Sequence, residues 1–360
     1  MTLPIRQSFF IACAFCAGQH FLRDLRIMHS QVVLRLKQKN FLTHEGIMSK
    51  TLVLLNPNAG HGAALKHFPQ VEKALRAAGM EFDVAQTRAA LHAVQLAWEA
   101  PGQGYERIIA VGGDGIVHEV VNGLMRASDE GETIALGIIP LGKGNDFIKS
   151  LPPALSPGET RDDWQQALPR ILGDKTMLVD VGKITGDVPV PGHPHPQYFV
   201  NGTDVGFGAR VAKAVRTVPV TGLAAYLLAI MQVLADYNMP HIKLTLDGSE
   251  VIELNTTLSA VTNGRCFGSA FWLTPQAEID DGVFDVVIAK ELGRVGILQI
   301  IPQLMKGTHM NHPVVTFRHA RHVLLESPAP MIIEADGELP FLEAHKLEIE
   351  ILPKRLRVIV

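Results

Sequence analysis

The residues best suited to chemistry stand in Val111-Gly112-Gly113-Asp114-Gly115, where three glycines within four positions surround one carboxylate. The apolar run Arg107-Ile108-Ile109-Ala110-Val111 leads into them, and Ile116-Val117-His118-Glu119-Val120-Val121-Asn122 opens an apolar-periodic stretch directly behind. That order reads as a strand, a tight turn and a helix start. Glycines let backbone N–H groups approach a ligand with no Cβ in the way, and a helix start adds fixed positive partial charge, so the turn suits a phosphate. A carboxylate beside phosphate repels it unless a divalent cation lies between, so Asp114 points to Mg²⁺ as well. The alternative is a glycine-rich turn that only packs tightly, with Asp114 as the helix cap.

Two further turns share this character. Ile134-Ala135-Leu136-Gly137-Ile138-Ile139-Pro140 reads as a buried strand and runs into Leu141-Gly142-Lys143-Gly144-Asn145-Asp146-Phe147. Upstream, Thr51-Leu52-Val53-Leu54-Leu55 runs into Asn56-Pro57-Asn58-Ala59-Gly60-His61-Gly62. In a parallel sheet the three turns share the carboxyl edge, where α/β folds bind ligands.

The elements that must position these turns are repeated βαβ units. Leu65, Phe68, Val71, Leu75 and Ala78 recur at helical spacing over residues 63–78, and Gly79 is a natural stop. Residues 81–87 read as the second strand and 89–100 as the second helix, with Pro101-Gly102 breaking before the third strand. Such repeats force parallel pairing with right-handed crossovers. After Leu151 the texture changes, with Pro152-Pro153, Pro157-Gly158, and then Pro189, Pro191, Pro194 and Pro196. Downstream, strands suit residues 177–184, 241–246, 254–263, 283–290, 323–326 and 347–352, helices suit 221–235 and 294–306, and Asp247-Gly248 marks a hairpin. The expected fold is an α/β lobe with a parallel sheet, residues 49–150, then an antiparallel β-sandwich-like lobe, residues 151–360, whose last strands can return to the first. The active site is expected in the interlobe cleft.

At 360 residues the chain is long enough for two cores. With 47% hydrophobic and 19% charged residues it is globular, and a net charge of −3 leaves no electrostatic footprint for nucleic acid. Three cysteines cannot staple a chain of this size, so a reducing cytosol is expected. Cys13 and Cys16 form a single CxxC without the further ligands of a zinc site, and the histidines show no HExxH or paired-ligand spacing. Residues 8–18 are apolar behind Arg6, loosely like a signal peptide, yet short of the ~18 residues that span a membrane. Residues 1–48 are expected to be an extension outside the fold or a mis-called start, because Met48 directly precedes Ser49-Lys50-Thr51. No transmembrane segment is expected.

In their order, Asn56-Pro57-Asn58-Ala59-Gly60, Gly112-Gly113-Asp114-Gly115 and Pro140-Leu141-Gly142-Lys143-Gly144-Asn145-Asp146-Phe147 resemble the three signatures of the diacylglycerol kinase catalytic family, which also holds bacterial lipid kinases and sphingosine kinases. The likeness runs from about Ser49 to the C-terminus. It implies a nucleotide-binding first lobe, a lipid-substrate second lobe, and ATP and Mg²⁺ as cofactors. By this resemblance the nucleotide meets Asn56, Pro57, Asn58, Ala59, Gly60, Thr87, Gly112, Gly113, Asp114, Gly115, Ile116, Val117, His118, Glu119, Lys143, Asn145 and Asp146. Asp114 would hold the catalytic Mg²⁺ or order the phosphate network. Two positions depart from the family pattern. Ile116 stands where Thr is common, removing a hydroxyl contact to phosphate; Lys143 stands where Thr or Ser is common, and its ammonium either pairs with phosphate or stays solvated.

Two acidic turns look ordinary by composition alone. In Glu334-Ala335-Asp336-Gly337-Glu338-Leu339-Pro340 a glycine between carboxylates is an unremarkable surface turn in most proteins. The resemblance makes Glu338 the general base for a lipid hydroxyl, with Asp336 oriented toward metal or substrate. Glu278-Ile279-Asp280-Asp281-Gly282-Val283 reads as a plain hairpin turn, whereas the family holds a structural Mg²⁺ at this place, implying Asp281 by side chain and Glu278 and Val283 mainly by backbone oxygen. Asn263-Gly264-Arg265-Cys266-Phe267-Gly268-Ser269-Ala270-Phe271 resembles a family glycine loop beside the cleft, with Ser269-Ala270 replacing glycines. The implied activity is ATP-dependent phosphorylation of a hydroxyl on a diacylglycerol-like or sphingoid-like lipid, met transiently at a membrane surface by a cytoplasmic enzyme. Nothing in the sequence excludes a homodimer. The rivals are an NAD kinase, which also uses a Gly-Gly-Asp-Gly turn, and a non-catalytic nucleotide- or lipid-binding protein of the same fold.

Overall fold

Strands covered on both faces need apolar residues at nearly every position. Thr51–Leu55 (β1) is buried throughout, and the helix Ala63–Ala77 (α1) carries it over to Phe82–Gln86 (β2). The helix His92–Glu99 (α2) then leads to Arg107–Gly112 (β3), and Asp114–Ala127 (α3) to Ala135–Pro140 (β4). All pairings are parallel in the order β4-β3-β1-β2, with Leu55 beside Val111 and Gly112 beside Pro140. Alternate side chains go to opposite faces. Val53, Leu55, Ile109, Val111 and Ile139 pack under α1, and Leu52, Leu54, Ile108 and Ala110 pack under α2 and α3. In the computed structural model the described residues are 50–161, 163–173, 175–220 and 223–360. The expectations for residues 1–48, Cys13 and Cys16 among them, and for a helix beginning at Thr221 lie outside these.

A short helix, Asp146–Ser150 (α4), follows the third glycine turn, and Trp164–Ile171 (α5) covers the β1–β3 face beside α1. The chain then turns to antiparallel pairing through Thr176–Gly186 (β5), Gln197–Phe199 (β6) and Gly202–Gly206 (β7). Helices Phe207–Val215 (α6) and Leu223–Asp236 (α7) intervene before His241–Leu246 (β8), Glu250–Thr262 (β9) and Phe284–Lys290 (β10). Arg294–Lys306 (α8) precedes Val315–Ala320 (β11), His322–Ala335 (β12) and Glu338–Ile359 (β13). β7 and β8 each pair with both β9 and β12, which closes a ring of strands. Its interior is apolar, with Val205, Ile242, Leu244, Val261, Leu325 and Ile333 in one cluster. α6, α7 and α8 share a separate cluster around Phe207, Ile230 and Ile297.

β12 and β13 run far beyond the expected 323–326 and 347–352. They take in Pro328, Pro330 and Pro353, residues without the N–H that a ladder needs. The structure accommodates them with register shifts between Glu326 and Met331 and between Leu352 and Leu356. The end of β13 pairs antiparallel with β5 and, at Val358 beside Leu136, parallel with β4. Among the described residues no helix is long and apolar enough to cross a membrane.

Candidate active site

The three glycine turns meet at the carboxyl ends of β1, β3 and β4. Leu141 N–H donates to Gly112 O at 2.7 Å and Asn56 N–H to Val111 O at 3.1 Å. A methyl on Gly60 would lie 2.8 Å from Leu141 O, and one on Gly112 would lie 3.2 Å from Ala59 Cβ. Asn56 Oδ1 accepts from Asn58 N–H at 3.0 Å, closing the first turn, and Thr87 N–H extends the β1–β2 pairing by donating to Leu55 O at 2.9 Å. Pro57 is half-buried and Asn58 exposed.

Asp114 begins α3, and its Oδ1 accepts the Asp146 N–H at 2.6 Å. Asn145, in the left-handed region at φ 49°, turns the chain so that this N–H points back. Burial first, then the neighbouring Asp146 charge, pushes the Asp114 carboxyl up to about 7. Asp146 in turn accepts from Lys149 Nζ at 2.8 Å and from Ser269 N–H at 3.0 Å. Lys149 is 4% exposed and also donates to Ser269 O at 2.7 Å, so it ties the third glycine turn to the 263–271 loop. Lys149 was not among the residues singled out from sequence, although its i, i+3 spacing from Asp146 on a helix is a usable cue.

The hairpin between β12 and β13 turns through Asp336 at φ 49° and Gly337 at φ 87°, the pair of left-handed residues that a tight two-residue hairpin requires. The Asp336 carboxylate is taken up by the backbone: it accepts from Val200, Asn201 and Gly202 N–H at 2.9, 2.9 and 3.1 Å. His118 Nδ1 lies 3.4 Å from the same group, and both side chains are almost fully buried. Glu338, one residue past the turn, keeps a third of its side chain exposed and pairs with Arg216 at 2.9 Å. Arg216 also donates to Gly337 O at 2.8 Å.

Asp114 and Glu338 line one cavity of about 400 Å³. Gly115, Lys143, Gly144 and Asp146 edge it beside Asp114, and Asp204, Glu334, Asp336 and Gly337 beside Glu338. Its remaining wall is apolar, with Phe207, Val211, Tyr226, Ile230, Ile301 and Leu304 from the three helices of the second half.

Of the residues expected at the nucleotide, Ile116, Val117, His118 and Glu119 do not line this cavity. Ile116 and Val117 are 2% and 4% exposed and pack in the core beneath α3, so a threonine hydroxyl in place of Ile116 would face apolar neighbours. His118 is enclosed by Asp336, Asn122 and Gln197, whose Nε2 is 2.6 Å from His118 Nε2. Glu119 caps α2, accepting from Leu91 and Ala93 N–H at 3.0 and 2.9 Å. Lys143 is exposed at the cavity edge.

At the other acidic turn, Glu278 and Asp281 are exposed, and Asp281 Oδ1 accepts the Val283 N–H at 3.1 Å. The turn leans on Asp180, fully buried, which accepts from Gly282 N–H at 2.6 Å and Lys354 N–H at 2.7 Å. Burial, more than the nearby Asp281 and Asp280, raises the Asp180 carboxyl. Among the described residues no three His, Cys, Asp or Glu side chains cluster closely enough to hold a metal ion. Asp280 is exposed, and Asp285 pairs with His319 at 3.0 Å.

Residues 50–184 match the diacylglycerol kinase catalytic domain, and residues 202–360 match the YegS C-terminal NAD kinase beta sandwich-like domain. The chain thus carries a diacylglycerol kinase catalytic domain in its first part and a YegS-type C-terminal domain in its second. It is 28% identical to the diacylglycerol kinase of Bacillus subtilis (strain 168) over 81% of this chain and 90% of that one. It is likewise 28% identical to the diacylglycerol kinase of Mycobacterium tuberculosis (strain ATCC 25618 / H37Rv) over 87% of this chain and 95% of that one. A crystal structure of a diacylglycerol kinase from Bacillus anthracis str. Sterne superposes with a TM-score of 0.62 at 22% identity, covering 88% of this chain and 98% of the other. That likeness places the fold: an α/β half followed by a β-sandwich-like half.

Proposed function

We propose that this protein is an ATP-dependent kinase that transfers a phosphoryl group to a hydroxyl of a diacylglycerol-like or sphingoid-like lipid. One observation carries the reading: the glycine turns bearing Asp114 and Lys143 and the hairpin bearing Glu338 edge a single cavity whose other wall is apolar. Phosphoryl transfer asks a protein mainly to position the nucleotide, offset charge and accept the nucleophile's proton. Backbone N–H groups of the turns after β1, β3 and β4 would cradle phosphates. The apolar wall would hold the acyl or long-chain part of the lipid, and Glu338 would take the proton from its hydroxyl.

The donor set also fits Mg²⁺. Asp114 and Asp146 put hard oxygens side by side, and burial first, then the Asp146 charge, raises the Asp114 carboxyl. Mg²⁺ is usually held by one or two carboxylates together with substrate phosphates, so the want of a closed side-chain cluster is no obstacle. When bound it would neutralise phosphate charge. Asp114 would hold it, with Asp146 oriented by Lys149 and Ser269 N–H. Asp336, with three backbone N–H bonds, would fix the hairpin that presents Glu338. A structural ion at the 278–283 turn would draw on Asp281 and on backbone oxygens.

The test is incubation of purified protein with labelled ATP, with Mg²⁺ or with chelator, against a panel of lipids plus NAD. Label in a lipid, dependent on Mg²⁺, is the expected result. Label in NAD would select an NAD kinase, and label in neither would leave a binding protein of the same fold.

A further inference from the structure

We propose that Asp204 and Glu334 share a single proton and that the pair holds the Asp336-Gly337 turn in the position from which it presents Glu338. The two residues are directly opposed across β7 and β12. Directly opposed side chains leave the same face of a sheet with Cβ atoms about 5 Å apart, within reach of each other's carboxyl groups. Asp204 is 7% exposed and Glu334 5%. Glu334 Oε1 accepts the Gly337 N–H, and the Asp204 carboxyl faces the Ala209 N–H at the start of α6. Each also has an oxygen, Asp204 Oδ1 and Glu334 Oε2, that is buried without a hydrogen-bond partner among the described residues.

Two buried carboxylates in that relation cannot both be ionised, because like charges directly opposed repel and an uncompensated buried charge is costly. No cation offsets them, for neither residue takes part in an ion pair among the described residues. The largest charge effects on Glu334 come from Asp204, Asp336 and Asp146, all acids. The other titratable neighbours are phenols, Tyr226 toward Glu334 and Tyr237 toward Asp204. Burial raises both carboxyls, in keeping with a retained proton. A single proton satisfies both orphaned oxygens at once, as the O–H of one acid donating to the carboxylate of the other, a charge-assisted bond.

The consequence runs through Gly337. Glu334 Oε1 holds its N–H from inside, while Arg216 holds its carbonyl and Glu338 Oε2 from the solvent side. Glu338 is thereby located from two directions. Asp204 and Glu334 act through the turn and are positioning residues. The positioning half of the inference rests on the kinase reading; the shared proton does not.

The experiment is infrared difference spectroscopy at pH 7 on nucleotide-free protein, comparing wild type with Asp204→Asn and Glu334→Gln, together with steady-state kinetics of Glu334→Gln and Glu334→Ala. A shared proton predicts that either amide variant alone removes the same protonated-carboxyl band, since the amide N–H replaces the proton and leaves the surviving acid ionised. Positioning predicts that Glu334→Ala lowers kcat about tenfold, the worth of one hydrogen bond, at unchanged KM for ATP, and that Glu334→Gln restores it. Survival of the band in either amide variant, or wild-type kcat in Glu334→Ala, would overturn the proposal. A wild-type protein without lipid phosphorylation would overturn the kinase reading instead, and the infrared comparison would still decide the proton.

Discussion

A methyl group on Gly142 would lie 2.3 Å from Gly113 Cα, so the turns after β3 and β4 touch backbone to backbone. Neither glycine needs a left-handed φ; the requirement is space. The contact is what brings Asp146 N–H within 2.6 Å of Asp114.

Gly142→Ala is therefore expected to force the two turns apart and to destabilise the protein by about 1–3 kcal/mol, the usual cost of overpacking. Gly115→Ala is the control, because a methyl there meets nothing within 4 Å and the position lies in α3. Its stability is expected to match wild type or exceed it slightly. Urea unfolding of both variants measures the difference, and equal midpoints for Gly142→Ala and wild type would show that the turns are not in contact.

The glycine turns were legible in the sequence because apolar strands and glycine-rich ends are local signals. So was the parallel pairing of the first lobe, which follows from repeated βαβ units. The destinations of individual side chains were not. Glu119 caps a helix 28 and 26 residues upstream, at Leu91 and Ala93, and His118 meets Asp336 across 218 positions. No spacing rule reaches that far. The same holds for Asp180 beneath the 278–283 turn and for Glu334 opposite Asp204, which declare themselves only once β7 and β12 are paired. Lys149 stood nearer to view, three residues from Asp146, but an ion pair on a short helix gives no hint from sequence that it is buried.

Burial pushes the Asp204 carboxyl up to about 7, well above the ~4 of an exposed aspartate. Between those values the folded protein holds a proton that the unfolded chain has lost, so this group's contribution to stability falls as pH rises from ~4 to ~7 and is level above. The direction is opposite to that of a salt-bridged aspartate. Asp204→Asn is expected to flatten the decline. Urea midpoints of both proteins at pH 5 and pH 8 check it, and parallel losses would rule out a raised carboxyl at this position.

Lys149 is the cationic partner of a buried pair, with side-chain exposures of 6% for Lys149 and 10% for Asp146. Removing one member leaves the other charged and uncompensated, so Lys149→Ala is expected to cost about 3–5 kcal/mol. Burial lowers the Lys149 ammonium's pKa while Asp146 raises it, and the charge wins: the net shift is upward. The double variant Lys149→Ala, Asp146→Ala is expected to recover part of the loss, because no orphaned charge remains. A double-mutant cycle in urea reads the coupling, and strict additivity would mean that the pair does not act as a unit.

Ile116 tests whether a departure from the family pattern is a nucleotide contact or a core position. Its Cγ2 would lie 2.9 Å from a methyl on Gly112, and it packs in the cluster beneath α3. Ile116→Thr replaces an ethyl group by a hydroxyl among apolar neighbours, so a loss of about 1–3 kcal/mol is expected. No gain in ATP affinity is expected, since the side chain points into the core. Calorimetric titration with ATP beside thermal unfolding separates the two, and tighter ATP binding by the variant would return the side chain to the nucleotide site.

Glu338 differs from every other carboxylate at the hairpin in keeping part of its side chain free. Asp336 is held by three backbone N–H groups and Glu334 by Gly337, whereas Glu338, among the described residues, has only Arg216 at its Oε2. Of the three, it is the one able to accept a proton from a bound alcohol without breaking the turn. Glu338→Ala is expected to lower kcat by ~10²–10⁴, the usual worth of general-base catalysis, with the fold intact because the side chain is a third exposed. Asp336→Ala would instead strand three backbone donors and show itself first as lost stability. The contrast is read from kcat and the urea midpoint measured on both variants. A Glu338→Ala protein with wild-type turnover would remove Glu338 from the reaction, whatever cavity it shares with Asp114.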